Sequence, residues 1–263
     1  MINICRPDST KSCSACCGLY NVTEATRPTL ESRLRHRTAV FSTVDRTPDA
    51  IEDFAELIRS SEGISALDED IHVCEFTGFV DPQARIVGCL LHPVASGNDG
   101  LDLRGLCYYG SLACKSFFCP AWTELPPRLR ELVIALVEDW HLYGLLITDV
   151  DYVVSLFALI EHRVGSEIGS PAVLPPAARE SLLTMLGWKD RWPLGRDSAV
   201  RRNRYYMKRT VFPDESGPRQ WIATLTEVLE FTFDVHHHDR DAAVLIEDHL
   251  DSFASLYKAA SEK

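Results

Sequence analysis

The stretch Cys13-Ser14-Ala15-Cys16-Cys17 sets three thiols within five residues. With nine cysteines in 263 residues, a given pattern of this kind arises by chance about 0.01 times in such a chain. A Cys-x2-Cys turn aims two sulfurs at one ion, because thiolate–zinc bonds of about 2.3 Å need convergent side chains. Adjacent side chains diverge, so Cys16 and Cys17 point to different metal atoms, in one cluster or in a pair of sites. Outward from this turn come Cys5, then Cys74 and Cys89, then Cys107, Cys114 and Cys119 within thirteen residues; none follows Cys119. Inert packing thiols would tolerate almost any spacing, whereas these are confined to one half of the chain. Metal ligation is therefore the preferred reading, with the isolated Cys5 open between ligand and core packing.

The same composition break divides the chain. We expect an α+β protein: a small Cys-rich metal-binding domain with a hairpin over residues 1–125, then a mostly helical domain over 126–263. Pro126-Pro127 marks the joint, since proline disfavours helix before it and suits a helix start. In the first part Ile51, Phe54, Ala55 and Ile58 recur at helical spacing and predict a helix over 48–59. Strand-like residues 71–76 and 86–91 flank a turn and predict a hairpin carrying Cys74 on one arm and Cys89 on the other. In the second part helical periodicity covers 128–146, 149–163, 177–186 and 239–260.

Composition narrows the function. Apolar residues at 46% and charged residues at 25% describe a packed protein rather than a disordered one. A net charge of −11 repels a phosphate backbone, so nucleic acid is not an expected partner. The apolar stretches 132–137, 142–147 and 152–160 are each too short to cross a bilayer. The polar residues 1–17 carry four cysteines and no apolar signal core. A cytoplasmic protein is expected, in which closely spaced cysteines stay reduced and serve metals.

Other constellations have plainer readings. Glu138-x-x-His141 has the spacing of a carboxylate-bridged di-iron helix, but it is one of three acid-x-x-His matches, with those ending at His72 and His237, where about 1.3 are expected by chance, and a single such unit on a helix reads as coincidence. His236-His237-His238 reads as an exposed loop before a helix capped by Asp239. Arg201, Arg202, Arg204, Lys208 and Arg209, around Tyr205-Tyr206, read as a solvated basic face. Ser96-Gly97-Asn98-Asp99-Gly100 reads as an ordinary turn, and His72 and His92 are minor candidates to replace a sulfur. Gly-x-Gly-x-x-Gly after a strand, a Walker A loop and Gly-x-Ser-x-Gly do not occur, which removes support for common nucleotide and hydrolase chemistry.

The Cys13-x2-Cys16-Cys17 start, the Cys74 and Gly88-Cys89 pair and the closing Cys114-x4-Cys119-Pro120 resemble the CxxCxxCC family of zinc- or iron-chelating proteins over about residues 5–120. The resemblance implies metal ligation by Cys13, Cys16, Cys17, Cys74, Cys89, Cys107, Cys114 and Cys119. Thr10 stands where the family often has a further cysteine, with Cys5 as a substitute from farther away; Leu112-Ala113 stands where Arg-Pro often precedes a late cysteine. The expected cofactor is an iron–sulfur cluster or zinc, in a structural or redox role. A single Cys-x2-Cys pair with the other sulfurs arriving singly leans toward the cluster. The helical part would cover the site or recruit a protein partner. The alternative is an iron–sulfur-dependent modifying enzyme, because the resemblance extends loosely to flagellin lysine N-methylases. The number of centres, and the roles of Cys5 and of the His236–His238 tract, stay open at this level.

Overall fold

A computed structural model describes residues 3–195, 200–206, 217–236 and 239–261, and its order of elements is mostly helical with one two-stranded antiparallel sheet. Helix α1 (Arg27–Phe41) starts with proline at its first turn, where a missing N–H is harmless, and buries Leu30, Leu34, Arg37 and Phe41. Thr47 caps helix α2 (Pro48–Glu62) by accepting from Ala50 N, and Ile51, Phe54, Ala55 and Ile58 face inward as their spacing predicts. Strands β1 (Thr77–Phe79) and β2 (Val87–Cys89) pair with Thr77 opposite Cys89.

The expected hairpin is therefore shifted and shorter. Cys89 lies on an arm, but Cys74 precedes β1, and residues 71–76 are not a strand. The backbone of Cys74 is engaged elsewhere: its N–H donates to Cys17 O at 3.0 Å, and its carbonyl accepts from Arg37 Nη1 at 2.8 Å. A residue tied on both sides in this way cannot also serve the ladder.

Beyond the short helix α3 (Ala121–Glu124), the expected helix over 128–146 divides into α4 (Pro127–Leu136) and α5 (Trp140–Ile147). Asp139 breaks it, with its carboxylate accepting from Leu142 N at 2.9 Å as the cap of α5. Aspartate gains more at such a cap than inside a helix. Glu138 consequently lies between helices and shares no helix face with His141. Helices α6 (Val150–Val164), α7 (Pro176–Gly187) and α9 (Asp239–Ser261) lie close to their expected bounds, while α8 (Pro218–Phe233) had no counterpart in the periodicity.

Helices α4 to α9 share one apolar core that also takes in Ile4, Ala121 and Leu125. A second cluster joins Leu30, Leu34, Phe79 and Val87 to Trp140 and Leu145 of α5, and a third gathers Phe41, Phe54, Ile58, Phe76 and Leu91. Buried contacts thus cross residue 125 in both directions. Among the described residues no single helix is long and apolar enough to cross a membrane; the apolar pair α5 and α6 is bent by 87°.

The basic stretch differs from its sequence reading. Arg201 Nε donates to Asp190 O at 2.6 Å, Arg202 lies 3.5 Å from Asp234, and Arg204 pairs with Asp151 and Glu227, so these side chains are tied to the helical core rather than merely solvated. Lys208 and Arg209 lie outside the described residues, as do His237 and His238; His236 is exposed.

At the centre of the helical part Lys189 Nζ meets Asp149 Oδ2 at 2.8 Å and donates to Thr232, with Lys189 and Asp149 both buried. Burial works against the charge of Lys189, and Asp149 offsets it. Removing one member leaves the other charge buried without compensation. Lys189→Ala is expected to cost about 3–5 kcal/mol in urea unfolding. A loss below about 1 kcal/mol would show that this pair does not hold the helices together.

Candidate metal centre

Residues Ala15–Cys17 form a single 3-10 turn, ended by Gly18 in the left-handed conformation at φ 76°. This turn gathers the first sulfurs. Cys13 N donates to Cys5 O at 2.9 Å, closing the 5–13 loop beside it. Asp8 ties the loop internally by accepting from Thr10 and Lys11. Desolvation opposes its ionisation, but those hydrogen bonds prevail and hold its carboxyl at about 2. On the other side, Cys17 O receives the Cys74 N–H. Cys89 ends β2, Cys107 follows a 3-10 turn over Arg104–Leu106, Cys114 ends a π-helical turn over Gly110–Cys114, and Cys119 directly precedes the Pro120 cap of α3.

All nine cysteines are free thiols, and they sense one another's charge. The Cys17 thiol is raised first by its hydrogen bond with Cys16 and then by desolvation, with Arg37 and the Thr77 hydroxyl opposing. Cys17 in turn raises Cys5, Cys13, Cys74, Cys89 and Cys114, after desolvation in each case. Desolvation, then the charges of Cys119 and Cys17, push Cys5 up to about 11; desolvation and Cys17 push Cys89 up to about 12. Cys5 is exposed as a residue. Every sulfur expected from sequence therefore lies in one electrostatically connected group, together with Cys5. Two cations that favour thiolates in it, Arg37 and Arg104, are already committed to Glu62 and Asp102.

Several contributors had no sequence signal. Tyr206 donates to Ala15 O at 2.6 Å, and the Tyr205 hydroxyl is buried beside Cys119, where it favours the thiolate. Glu75 joins His72 and Cys74 in a group whose nitrogen, sulfur and oxygen ligand atoms all lie within 4.8 Å of one another. His72 stacks on Tyr109 at 3.9 Å, and desolvation lowers its pKa against the opposing charge of Glu75. The acid three residues before His72, Glu69, is exposed and takes no part.

The remaining candidates are structural. His92 Nδ1 accepts from Val94 N, and Asn98 bonds Leu90 O and His92 O, so the 96–100 segment is an ordinary turn. His141 is buried with Nε2 3.0 Å from Ala25 O. No protein-family model, curated protein or solved structure matches the chain.

The junction between the two sulfur-bearing segments is tight. A Cβ on Gly18 would lie 2.2 Å from His72 O, and its positive φ adds strain for any other residue. Gly18→Ala is expected to push residues 72–74 off the turn, at about 1–3 kcal/mol, and to speed iodoacetamide alkylation of Cys74. An unchanged alkylation rate, read by peptide mass spectrometry, would contradict this close contact.

Proposed function

We propose that the protein is a cytoplasmic metal-binding protein that ligates an iron–sulfur cluster or zinc through its clustered cysteines, in a structural or redox role. The observation carrying this reading is that backbone hydrogen bonds tie Cys13 to Cys5 and Cys74 to Cys17, while Cys74, Cys89 and Cys107 pack on one apolar core and Cys13 and Cys119 on another, all as free thiols. The donor set fits thiophilic metals. Crowded sulfurs of raised pKa repel one another as thiolates, and a bound cation would replace that repulsion with attraction. The resemblance to the CxxCxxCC family supports the same conclusion.

A single Cys-x2-Cys pair with the other sulfurs arriving singly leans toward the cluster over zinc. Among the described residues, the one group of three or more ligand atoms within 4.8 Å of each other is His72, Cys74 and Glu75, which holds a single sulfur.

Anaerobic purification followed by elemental analysis and a visible spectrum tests the proposal. A brown protein with iron and acid-labile sulfide is expected; a colourless one with stoichiometric zinc fits the second metal. Removing the metal is expected to make residues 1–125 protease-sensitive, because thiolate sites contribute on the order of 10 kcal/mol to the folding of small domains. Protein free of both metals with unchanged protease resistance would refute the reading.

The modifying-enzyme alternative draws support from a different observation. Cys16 and Cys114 are exposed, and near Cys114 in sequence so are Tyr108, Leu112, Phe117 and Phe118, so apolar surface for a substrate or protein partner lies in the Cys-rich part as well as in the helical part. An enzyme of the lysine N-methylase type would bind S-adenosylmethionine. Calorimetry with metal-loaded protein is expected to show no binding if the metal is structural, and measurable heat would favour the enzyme.

A further inference from the structure

The segment just before β1 brings three different donors together. The imidazole of His72, the thiol of Cys74 and the carboxylate of Glu75 offer one nitrogen, one sulfur and one oxygen, all within 4.8 Å of one another. His72 Nε2 and Glu75 Oε2 stand 3.8 Å apart, too far for a hydrogen bond. Two donors on one tetrahedral zinc ion stand about 3.4–3.6 Å apart, given bonds of about 2.0–2.3 Å. The gap therefore fits a shared ion better than a direct bond between the two side chains.

Neighbouring groups hold these donors in place. Buried Asn21 donates to Asp68 O at 2.9 Å and to Ile71 O at 2.8 Å, which fixes the chain ahead of His72. Cys74 is tied at its N–H by Cys17 O and at its carbonyl by Arg37. The His72 ring stacks on Tyr109. Glu75 is 7% exposed, and Arg59 Nη1 reaches its Oε1 at 3.3 Å, which leaves Oε2 beside the imidazole. A metal-binding carboxylate is commonly oriented by a second hydrogen bond of this kind. His72 and Cys74 are partly exposed while Glu75 is buried, so the group is backed by protein and keeps access to solvent.

Going beyond the sulfur-based reading, we propose that His72, Cys74 and Glu75 form a mononuclear site for a divalent transition-metal ion, above all zinc, with a fourth position open to water or a small ligand. One thiolate and one carboxylate balance the charge of the ion, and a neutral imidazole adds the third bond. Mixed nitrogen, sulfur and oxygen donors suit zinc, whereas calcium and magnesium take oxygen. Three protein donors leave an exchangeable position that a closed four-thiolate site lacks. Cys74 serves this ion whether or not the other thiols hold a metal of their own.

The test uses cobalt(II) as a substitute for zinc, added to the full chain purified anaerobically and then desalted. Cobalt plus any resident zinc is counted per chain, and X-ray absorption at the cobalt edge reports the neighbours of the added ion alone. His72→Ala and Glu75→Gln are each expected to hold one equivalent less than wild type. His92→Ala, which removes an imidazole bonded to Val94 N instead, should hold the wild-type amount. The cobalt that His72→Ala fails to hold should be the fraction with a single sulfur and otherwise nitrogen and oxygen neighbours. An all-sulfur shell in wild type overturns the proposal without needing any variant to fold, and it leaves the thiol reading standing. Equal metal in wild type and His72→Ala, or an equal loss in His92→Ala, also overturns it. The mixed shell in a protein whose other thiols carry neither iron nor zinc upholds this site and removes the sulfur-based reading instead.

Discussion

The docking of the Cys13–Cys17 turn onto helix α5 is the constraint on which the rest depends. Three tyrosines spend their hydroxyls on it. Tyr20 donates to His141 O at 3.0 Å, Tyr143 donates to Ile4 O at 2.8 Å, and Tyr206 donates to Ala15 O at 2.6 Å. Each bond crosses between the two halves of the chain, and each pins backbone rather than side chain. A buried tyrosine combines large apolar area with a satisfied polar end, so it fixes position as well as affinity. Gly144 makes the approach feasible, because a Cβ there would lie 2.1 Å from the Tyr20 hydroxyl. The sulfur-bearing turn is thus oriented by the helical part before any ligand is considered.

That orientation carries an electrostatic cost. Bringing weak acids together out of water raises each one's pKa, first through desolvation and then through its neighbours' charge. Cys13, Cys17 and Cys74 are all raised well above the ordinary thiol range, and they are also the residues whose backbones tie the segments together. Packing and hydrogen bonding therefore hold a geometry that the thiolates alone would oppose. Were the proposed ion or cluster bound, it would reverse the sign of this interaction, because metal ligation needs deprotonated sulfurs and would stabilise the state in which they meet.

Much of this was legible in the sequence, for physical reasons that differ by element. Helix α2 was readable because Ile51, Phe54, Ala55 and Ile58 repeat with the period of the helix and nothing else competes. Helix α1 was not, since its buried face includes Arg37, whose charge is satisfied by the remote Glu62 and by the carbonyl of Cys74. The hairpin was displaced because tertiary bonds claimed the backbone of Cys74, a competition that strand propensity does not register. The cysteines could be named one by one from their bunching, yet not sorted, because chain spacing does not say which apolar wall a sulfur faces. Glu75, Tyr205 and Tyr206 carry no local pattern at all, and only folding brings them to the site.

The position of the sulfurs between separate cores has a consequence for how the halves communicate. The α4 to α9 core has its own large apolar cluster and its buried Lys189–Asp149 pair, with Cys13 and Cys119 packed at its edge. The core of Phe41, Phe54 and Phe76 is smaller and touches Cys74, Cys89 and Cys107 directly. Between them runs the cluster containing Trp140 and Leu145, which joins α5 to α1 and the hairpin. Metal held at this seam would add its binding energy mainly to the smaller core, because that core buries less apolar surface of its own. On the proposed reading, the Cys-rich half would then respond to metal supply more than the helical half.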